Sequence, residues 1–375
     1  MKIAILAETV SGETRVAAIP ETARKLVALG ATVAVERGAG SRAGIADGEF
    51  EAAGAMVGSR EEVLEQAHAI LCVSGPEPSA LEGAPPGALL IGGLDPLRRA
   101  DAISAYASMG LQALAMEWMP RITRAQSMDI LSSQSNLAGY KAVIDAAAVY
   151  GRAFPMMMTA AGTVSAARVF VMGVGVAGLQ AIATARRLGA QVSATDVRSA
   201  TREQIQSLGA KPIFVENVAG IEGEGQGGYA TETSDEYRQA QADLVSGHIA
   251  KQDIVITTAL IPGRPAPRLI SDAQLESMRA GSVVVDLAAD AGGNVEGSVA
   301  GEQVQRHAVS VIGAVNLARS LPADASALFS RNLYNFLAAV WDKEQGRPVL
   351  ADEDEIVQAV RLTKDGAVVS DRLKG

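Results

Sequence analysis

Three glycines and one aspartate at fixed spacing give the clearest chemical signal in this chain of 375 residues. An apolar, β-prone run is followed by the pattern G-x-G-x-x-G, which is formed by Gly173, Gly175 and Gly178. The first glycine permits a tight turn, the second leaves room for a pyrophosphate, and the third lets a helix pack closely on the strand. The N–H groups and the dipole at the start of that helix attract phosphates. The pattern therefore predicts a dinucleotide-binding site.

Asp196 indicates which dinucleotide this site prefers. It follows a second short β-prone run, where a carboxylate accepts hydrogen bonds from both hydroxyls of an adenosine ribose. Its charge repels a 2′-phosphate, so it favours NAD(H) over NADP(H). Arg198 lies two positions later, and we interpret it as solvent-facing or stacked on the adenine. The candidate cofactor contacts in this part of the chain are Gly173, Val174, Gly175, Val176, Ala177, Gly178, Asp196, Val197 and Arg198.

Strand and helix patterns alternate around these residues. The β-prone runs occupy residues 2–7, 32–36, 69–74, 88–91, 112–115, 169–172, 191–194, 212–215, 254–257, 283–286 and 309–312. Strands that alternate with helices predict parallel sheets with helices on both faces. We therefore expect an α/β fold with two Rossmann-like, doubly wound parallel-sheet domains, joined by long helices around a cleft.

Two helical segments connect the predicted domains. Apolar residues recur at helical spacing within residues 132–152, and a second helix near residues 324–340 carries the chain back. The first domain is therefore expected to be discontinuous, with residues 1–131 and 325–375. Residues 132–324 form the predicted NAD(H)-binding domain.

Two further segments carry candidate cofactor contacts on loops. Residues 217–234 are rich in glycine and acidic residues, and Tyr229 is the aromatic residue among them. So long a segment with little apolar content is typical of a mobile surface loop, or of a lid that closes Tyr229 over the nucleotide. The stretch TTALIPG follows a strand at the sheet edge where a nucleotide lies. Thr258, Ala259 and Leu260 are therefore either cofactor contacts or ordinary turn residues.

A second cluster of polar residues lies in the stretch MPRITRAQSMDILSSQSNLAGY, which follows the last strand of the first series. A nicotinamide carboxamide needs one acceptor for its NH₂ group and one donor for its oxygen. Asp129 with Ser132, or Asp129 with Arg121, supplies this pair. The same residues are equally typical of a capped helix start, in which polar residues precede an apolar helix. The spacing leaves both interpretations open.

The composition excludes several classes of function. The formal net charge is −9 and no basic cluster is present, so nucleic-acid binding is not expected. The single cysteine, Cys72, allows no internal disulfide, and the three histidines are too scattered for a metal site. No apolar run reaches the ~18 residues of a membrane span, and the N-terminal run is too short for a signal peptide. We expect a soluble, cytoplasmic chain without direct membrane insertion.

Five blocks of the sequence are more specific than a glycine pattern, namely MPRITRAQSMDILSSQSNLAGY, FPMMMTAAGTV, VMGVGVAGLQAIATARRLGA, TTALIPG and the GGYA loop. Together they resemble the NAD(H)-binding alpha-1 subunits (domain I) of proton-translocating NAD(P) transhydrogenases, with alanine dehydrogenases as more distant relatives. The similarity runs nearly end to end, from SGETRVAAIP to ADASALFSRNLYNFL.

The resemblance implies a two-domain, homodimeric subunit that binds NAD(H) as a substrate. It also implies docking onto an NADP(H)-binding component held by a membrane proton-channel component, so that the chain lies peripherally on the cytoplasmic face of the inner membrane. Hydride then passes directly between the two nicotinamides and is coupled to proton translocation. By the same resemblance, Arg121, Asp129 and Ser132 surround the nicotinamide of NAD, and Gln126 reaches toward the nucleotide of the other component. Tyr229 lies on the mobile closing loop.

Two other functions remain open alternatives. An alanine dehydrogenase must bind a carboxylate and move a proton, and the related enzymes use a lysine and a histidine after two neighbouring strands. The corresponding blocks here read AILCVSGPE and ALLIGGLDPL and contain neither residue. The second alternative is a non-catalytic NAD-sensing subunit, which has no need of residues that position the nicotinamide. Hydride transfer between nicotinamides needs aligned rings and no general acid or base, which agrees with the residues present.

Overall fold

The structure is a computed structural model of the chain, and it describes residues 1–215, 235–261 and 264–373. Two compact units divide the chain. The first combines Met1–Gln134 with Arg319–Gly375, and the second is Ser135–Ala318. Within the described ranges, no helix is both long enough and apolar enough to span a bilayer.

The first unit is built on a six-stranded parallel sheet. Its strands are β1 (Lys2–Ile5), β2 (Thr32–Glu36), β3 (Met56–Gly58), β4 (Ala69–Ser74), β5 (Leu89–Gly93) and β6 (Gln112–Ala115). The helices between them in the chain are α1 (Pro20–Ala28), α2 (Asp47–Ala52), α3 (Arg60–Leu64) and α4 (Ala100–Ser108). The strand order β3-β2-β1-β4-β5-β6 reverses direction between β1 and β4, which makes the sheet doubly wound.

The central strand β1 shows why helices cover both faces of this sheet. Ile3 and Ile5 belong to one buried apolar cluster, together with Phe50 of α2. Ala4 belongs to a second buried cluster, together with Ile103 of α4. Because side chains alternate along a strand, an unbroken apolar run such as β1 requires apolar partners on both sides.

Helix α5 (Ile130–Val149) carries the chain from the first unit into the second. The second unit starts within α5, which is followed by a hairpin of β7 (Met157–Thr159) and β8 (Gly162–Val164). Its main sheet contains β9 (Arg168–Met172), β10 (Gln191–Thr195), β11 (Lys211–Pro212), β12 (Ile254–Thr257), β13 (Val283–Asp286), β14 (Gln303–Arg306) and β15 (Val309–Gly313). After α5, the described α-helices of this unit are α6 (Val176–Arg187), α7 (Thr201–Ser207), α8 (Asp235–Ile249) and α9 (Asp272–Glu276).

The second sheet has the strand order β11-β10-β9-β12-β13-β15-β14 and is also doubly wound, since the order reverses between β9 and β12. The pair β14–β15 is antiparallel, and this edge strand was not predicted from the sequence. Val169 and Val171 lie in one apolar cluster, whereas Phe170 and Met172 lie in another, so β9 is buried on both faces like β1. The prediction of two Rossmann-like α/β domains is confirmed.

The chain returns to the first unit through α10 (Pro322–Ala339), which has a proline in its first turn. Phe329, Leu333 and Phe336 recur at helical spacing along α10 and are buried in the same cluster as Ile3 and Ile5. The remaining elements are α11 (Glu355–Val360) and two short hairpins, β16 (Trp341–Asp342) with β17 (Arg347–Pro348) and β18 (Thr363–Lys364) with β19 (Ala367–Val368).

Candidate functional site

The glycine pattern forms the turn between β9 and α6. Gly173 has a φ of +97°, a left-handed conformation that favours glycine, and its N–H donates to the carbonyl of Thr195 at 2.9 Å. A Cβ atom at Gly173 would lie 2.6 Å from Thr258 Oγ1, and one at Gly178 would lie 1.9 Å from the carbonyl oxygen of Gly173. Strand, turn and helix therefore pack too closely here for a larger residue at either position.

Gly175 differs because its missing side chain faces open space. It directly precedes Val176, the first residue of α6, and its φ of −81° is accessible to any residue. A Cβ atom at Gly175 would meet no heavy atom within 4 Å. Among the described residues, no side chain caps this helix start, so its N–H groups are available to an anion. The open space and the donors together fit a pyrophosphate.

Asp196 lies directly after β10 and is almost fully buried, with 7% of its surface exposed. Its Oδ2 accepts hydrogen bonds from the N–H of Val174 at 2.7 Å and from Arg198 Nη2 at 3.0 Å. Its Oδ1 accepts from the backbone N–H and from Nε of Arg198, both at 2.9 Å. A carboxylate offers about four acceptor positions, so these four bonds occupy the acceptor capacity of Asp196.

Arg198 does not face the solvent, and that interpretation of the sequence is wrong. Its side chain is only 12% exposed and forms an ion pair with Asp196. Its Nη2 also donates to the carbonyl of Val174 at 3.2 Å. The two-residue spacing is short enough for the guanidinium to turn back onto the buried carboxylate, whose charge requires a partner. Stacking of Arg198 on an adenine stays a prediction.

The segment after β12 supports the glycine turn from the side. Thr258 Oγ1 donates to the carbonyl of Gly173 at 3.0 Å. The buried Asn294 side chain holds Ala259 on both sides, accepting from its N–H at 3.0 Å and donating to its carbonyl at 2.9 Å. Leu260, which follows, is 44% exposed. Sequence analysis missed Asn294, because nothing in the stretch AGGNVEG marks an asparagine that binds a loop 35 positions away.

The candidate nicotinamide residues lie on one segment of the first unit. A 3₁₀ turn, Thr123–Met128, is followed directly by Asp129 and then by α5. The carboxylate of Asp129 accepts hydrogen bonds from the N–H of Ser132 at 3.0 Å and from its hydroxyl at 2.6 Å. This is the capped helix start that the sequence allowed as one interpretation. Arg121 and Gln126 are exposed, and the nicotinamide role of these residues stays a prediction.

The predicted residues of the second unit fall into three groups. Direct contacts join six of them into one network around the glycine turn, namely Gly173, Val174, Gly178, Asp196, Arg198 and Thr258. Others flank this network in the chain, namely Gly175, Val176, Ala177, Val197, Ala259 and Leu260. Tyr229 and the rest of residues 217–234 lie outside the described residues.

A third polar cluster, which the sequence analysis did not single out, lies at the carboxyl ends of β1 and β4. The carboxylate of Glu8 accepts hydrogen bonds from the N–H groups of Val73 and Ser74 at 2.6 and 3.1 Å. Burial raises the pKa of Glu8 to about 7. The Ser74 hydroxyl donates to Glu13 at 3.4 Å, and two bonds of 2.7 Å join Glu13 to Arg15. No lysine or histidine takes part in these contacts.

Comparison with known proteins identifies two family models, whose boundary lies near the start of the second unit, and the second model continues through the return segment of the first unit. The family model "Alanine dehydrogenase/PNT, N-terminal domain" matches residues 4–138, and "Alanine dehydrogenase/PNT, C-terminal domain" matches residues 142–371. The first part of NAD(P) transhydrogenase subunit alpha from Rhodospirillum rubrum is 52% identical over 382 residues, which cover 100% of this chain and 99% of that protein. This chain belongs to the family of NAD(P) transhydrogenase alpha subunits.

Two further relatives agree with this family. The crystal structure of transhydrogenase from Sinorhizobium meliloti superimposes with a TM-score of 0.90 and 53% identity, covering 98% of this chain and 100% of that chain. Alanine dehydrogenase of Mycobacterium tuberculosis is 29% identical over 308 residues, which cover 80% of this chain and 75% of that protein. The resemblance to transhydrogenases, with alanine dehydrogenases more distant, is confirmed.

Proposed function

We propose that this chain is the NAD(H)-binding subunit of a proton-translocating NAD(P) transhydrogenase. It holds NAD(H), while a separate component holds NADP(H), and hydride passes directly between the two nucleotides. The observation that carries the proposal is the open start of α6 at Gly175, next to Val174, whose N–H donates a hydrogen bond to the buried Asp196. These features fit the pyrophosphate and the adenosine ribose of a dinucleotide. Membership of the alpha-subunit family supports the choice of reaction.

The reaction requires positioning and no proton transfer by this chain. A hydride leaves the C4 atom of one dihydronicotinamide and adds to C4 of the oxidised ring, so that one nucleotide is oxidised as the other is reduced. The protein contributes by placing the ring and excluding water. In our proposal the Asp129 carboxylate, already fixed by Ser132, accepts from the carboxamide NH₂ group, and Arg121 donates to its oxygen. Gln126, which is exposed, extends toward the nucleotide of the other component.

We further propose that the chain acts as a homodimer and docks on two other components. The hairpin of β7 and β8 supports self-association, because Met156, Met157 and Met158 are 62%, 43% and 79% exposed and residues 153–167 carry no charge. Exposed apolar segments of this kind mark interaction sites. One further component binds NADP(H), and the other conducts protons through the membrane, so this subunit is peripheral on the cytoplasmic face of the inner membrane.

The proposal is tested by mixing the purified chain with the NADP(H)-binding component of a related transhydrogenase. NADPH is supplied with 3-acetylpyridine adenine dinucleotide, an NAD⁺ analogue whose reduced form is followed by absorbance. We expect reduction of the analogue only when both proteins are present, and each protein is omitted in turn as the control. Proton coupling is then measured with a pH-sensitive dye in vesicles that contain the membrane component.

Other outcomes distinguish the remaining functions. Measured NADH binding and complex formation without any turnover would refute hydride transfer and support the NAD-sensing subunit. Reduction of NAD⁺ by the chain alone in the presence of L-alanine would support an alanine dehydrogenase instead. The cluster around Glu8 and Arg15, in which Arg15 is already engaged by Glu13, leads us to expect no alanine-dependent activity.

A further inference from the structure

One side chain of α10 contacts the segment that carries the candidate nicotinamide residues at two points, on either side of Asp129 and Ser132. Asn332 Nδ2 donates a hydrogen bond to the carbonyl of Ser127 at 2.8 Å. Its Oδ1 accepts a hydrogen bond from the hydroxyl of Ser133 at 2.7 Å. Asn332 is 7% exposed, so water competes little for either bond.

The two contacts flank Asp129 and Ser132 in the chain. Ser127 directly follows Gln126, and Ser133 directly follows Ser132. The residues between the two contacts include Asp129, whose carboxylate caps α5. Movement of this segment away from α10 therefore requires both bonds of Asn332 to break.

Two other polar contacts, made by Asn335 and Arg124, also hold this part of the chain, but they are exposed to water. Asn335 Nδ2 donates to the Ser127 carbonyl at 3.0 Å, in a bond that water can reach. Arg124 forms two bonds with Asp354 at 2.8 and 2.9 Å, and its side chain is 51% exposed. Exposed ion pairs contribute little to stability because water and salt screen them. Asn332 is thus a buried polar contact of the segment with α10, and it lies beside apolar packing, since Met128 and Leu333 belong to the same buried cluster.

We propose that Asn332 is a positioning residue for hydride transfer. Its amide keeps Asp129 and Ser132 in the arrangement that holds the nicotinamide at the reacting distance. This inference rests on the proposed function, since it assumes that the segment contacts the nicotinamide. Where chemistry depends on ring alignment alone, a displacement of about 1 Å lowers the rate by about 100-fold.

Position 332 needs one short side chain that both donates to Ser127 and accepts from Ser133. An aspartate at this position meets both needs only when it is protonated, so its activity should depend on pH. In an Asn332→Asp variant, the ionised carboxylate accepts from Ser133 but repels the carbonyl of Ser127. When protonated, the same carboxyl group donates to the Ser127 carbonyl and accepts from Ser133, as the amide does. Burial raises the pKa of such a carboxyl group, so protonation occurs at moderately acidic pH.

The experiment measures hydride transfer by the full chain together with an NADP(H)-binding component, as a ratio to wild type at each pH. We expect Asn332→Ala to lower kcat by about 10- to 100-fold at every pH. The Kd for NADH, measured with the chain alone, changes by less than about 3-fold, because the pyrophosphate and ribose contacts lie in the second unit. At pH 8, Asn332→Asp shows the same loss of kcat relative to wild type. At pH 6, the logarithm of that kcat ratio recovers by at least about half.

Asn335→Asp is the matched control, since it makes the same chemical change on the same helix at a position that water reaches. We expect its activity to stay within about 3-fold of wild type, with no dependence of the ratio on pH. Thermal unfolding of each variant confirms that the assay contains folded protein.

Wild-type kcat in folded Asn332→Ala would overturn the positioning role. So would a loss in Asn332→Asp that does not recover at low pH, because lost packing does not depend on protonation. If the wild-type pair itself transfers no hydride, the proposed function fails first, and the role of Asn332 fails with it. The wild-type control therefore separates the two failures.

Discussion

Replacing Gly175 by alanine tests the proposed phosphate contact without disturbing the fold. The backbone at Gly175 has a φ of −81°, which alanine adopts, and a Cβ atom there would meet no heavy atom within 4 Å. Loss of glycine restricts the unfolded chain and stabilises by about 0.4–1 kcal/mol. Alanine is a poorer N-cap than glycine, which costs about 0.5–1 kcal/mol. These effects offset each other, so we expect the free energy of unfolding to change by less than about 1 kcal/mol.

The effect on NADH binding is much larger, because the new methyl group fills the space in which a phosphate approaches the helix start. A hydrogen bond to a charged group is worth about 1.5–3 kcal/mol, so loss of one such bond weakens binding by about 10- to 150-fold. The Kd for NADH is measured by titration calorimetry, and stability is measured by thermal unfolding in the absence of nucleotide.

Gly178→Ala is the matched control, because the same methyl group meets the protein itself. Its Cβ atom would lie 1.9 Å from the carbonyl oxygen of Gly173, so the start of α6 must move. Overpacking of this kind costs about 1–3 kcal/mol, and we expect a lower Tm together with weaker NADH binding. Gly175→Ala with wild-type affinity for NADH would refute the placement of the pyrophosphate. A large loss of stability in the same variant would refute the open space at Gly175.

Two further predictions concern buried carboxylates. Burial raises the pKa of Glu8 to about 7, so the folded protein binds this proton more tightly than the unfolded chain, whose carboxyl group has the ordinary pKa of 4.5. Glu8 therefore lowers stability as the pH rises from 4.5 to 7. Glu8→Gln should reduce the drop in Tm between about pH 5 and pH 8, and an unchanged drop in calorimetry would contradict this. Asp196→Ala should weaken NADH binding by at least about 10-fold and strengthen NADPH binding, because Arg198 loses its carboxylate partner and is placed to meet a 2′-phosphate. Asp196→Ala/Arg198→Ala should lose the gain for NADPH in fluorescence titrations, and retention of that gain would exclude Arg198 as its source.

The sequence by itself determined the features that depend on neighbouring residues. The turn at Gly173 and the close packing at Gly178 follow from residues a few positions apart, so the glycine pattern was sufficient to predict them. The capped start of α5 at Asp129 and Ser132 is equally local. The alternation of strand and helix patterns predicted parallel sheets with helices on both faces, and hence two doubly wound sheets.

Only the tertiary structure decided which distant polar groups meet. Asn332 binds the carbonyl of Ser127 across 205 positions of the chain, and Glu8 binds the N–H of Val73 across 65. The ion pair between Arg198 and Asp196 was missed despite its short spacing, because it depends on the burial of that carboxylate. Buried polar groups must find hydrogen-bond partners. The packing of helices and strands decides which unpaired backbone groups lie near a buried polar side chain. No local pattern of residue types encodes that packing.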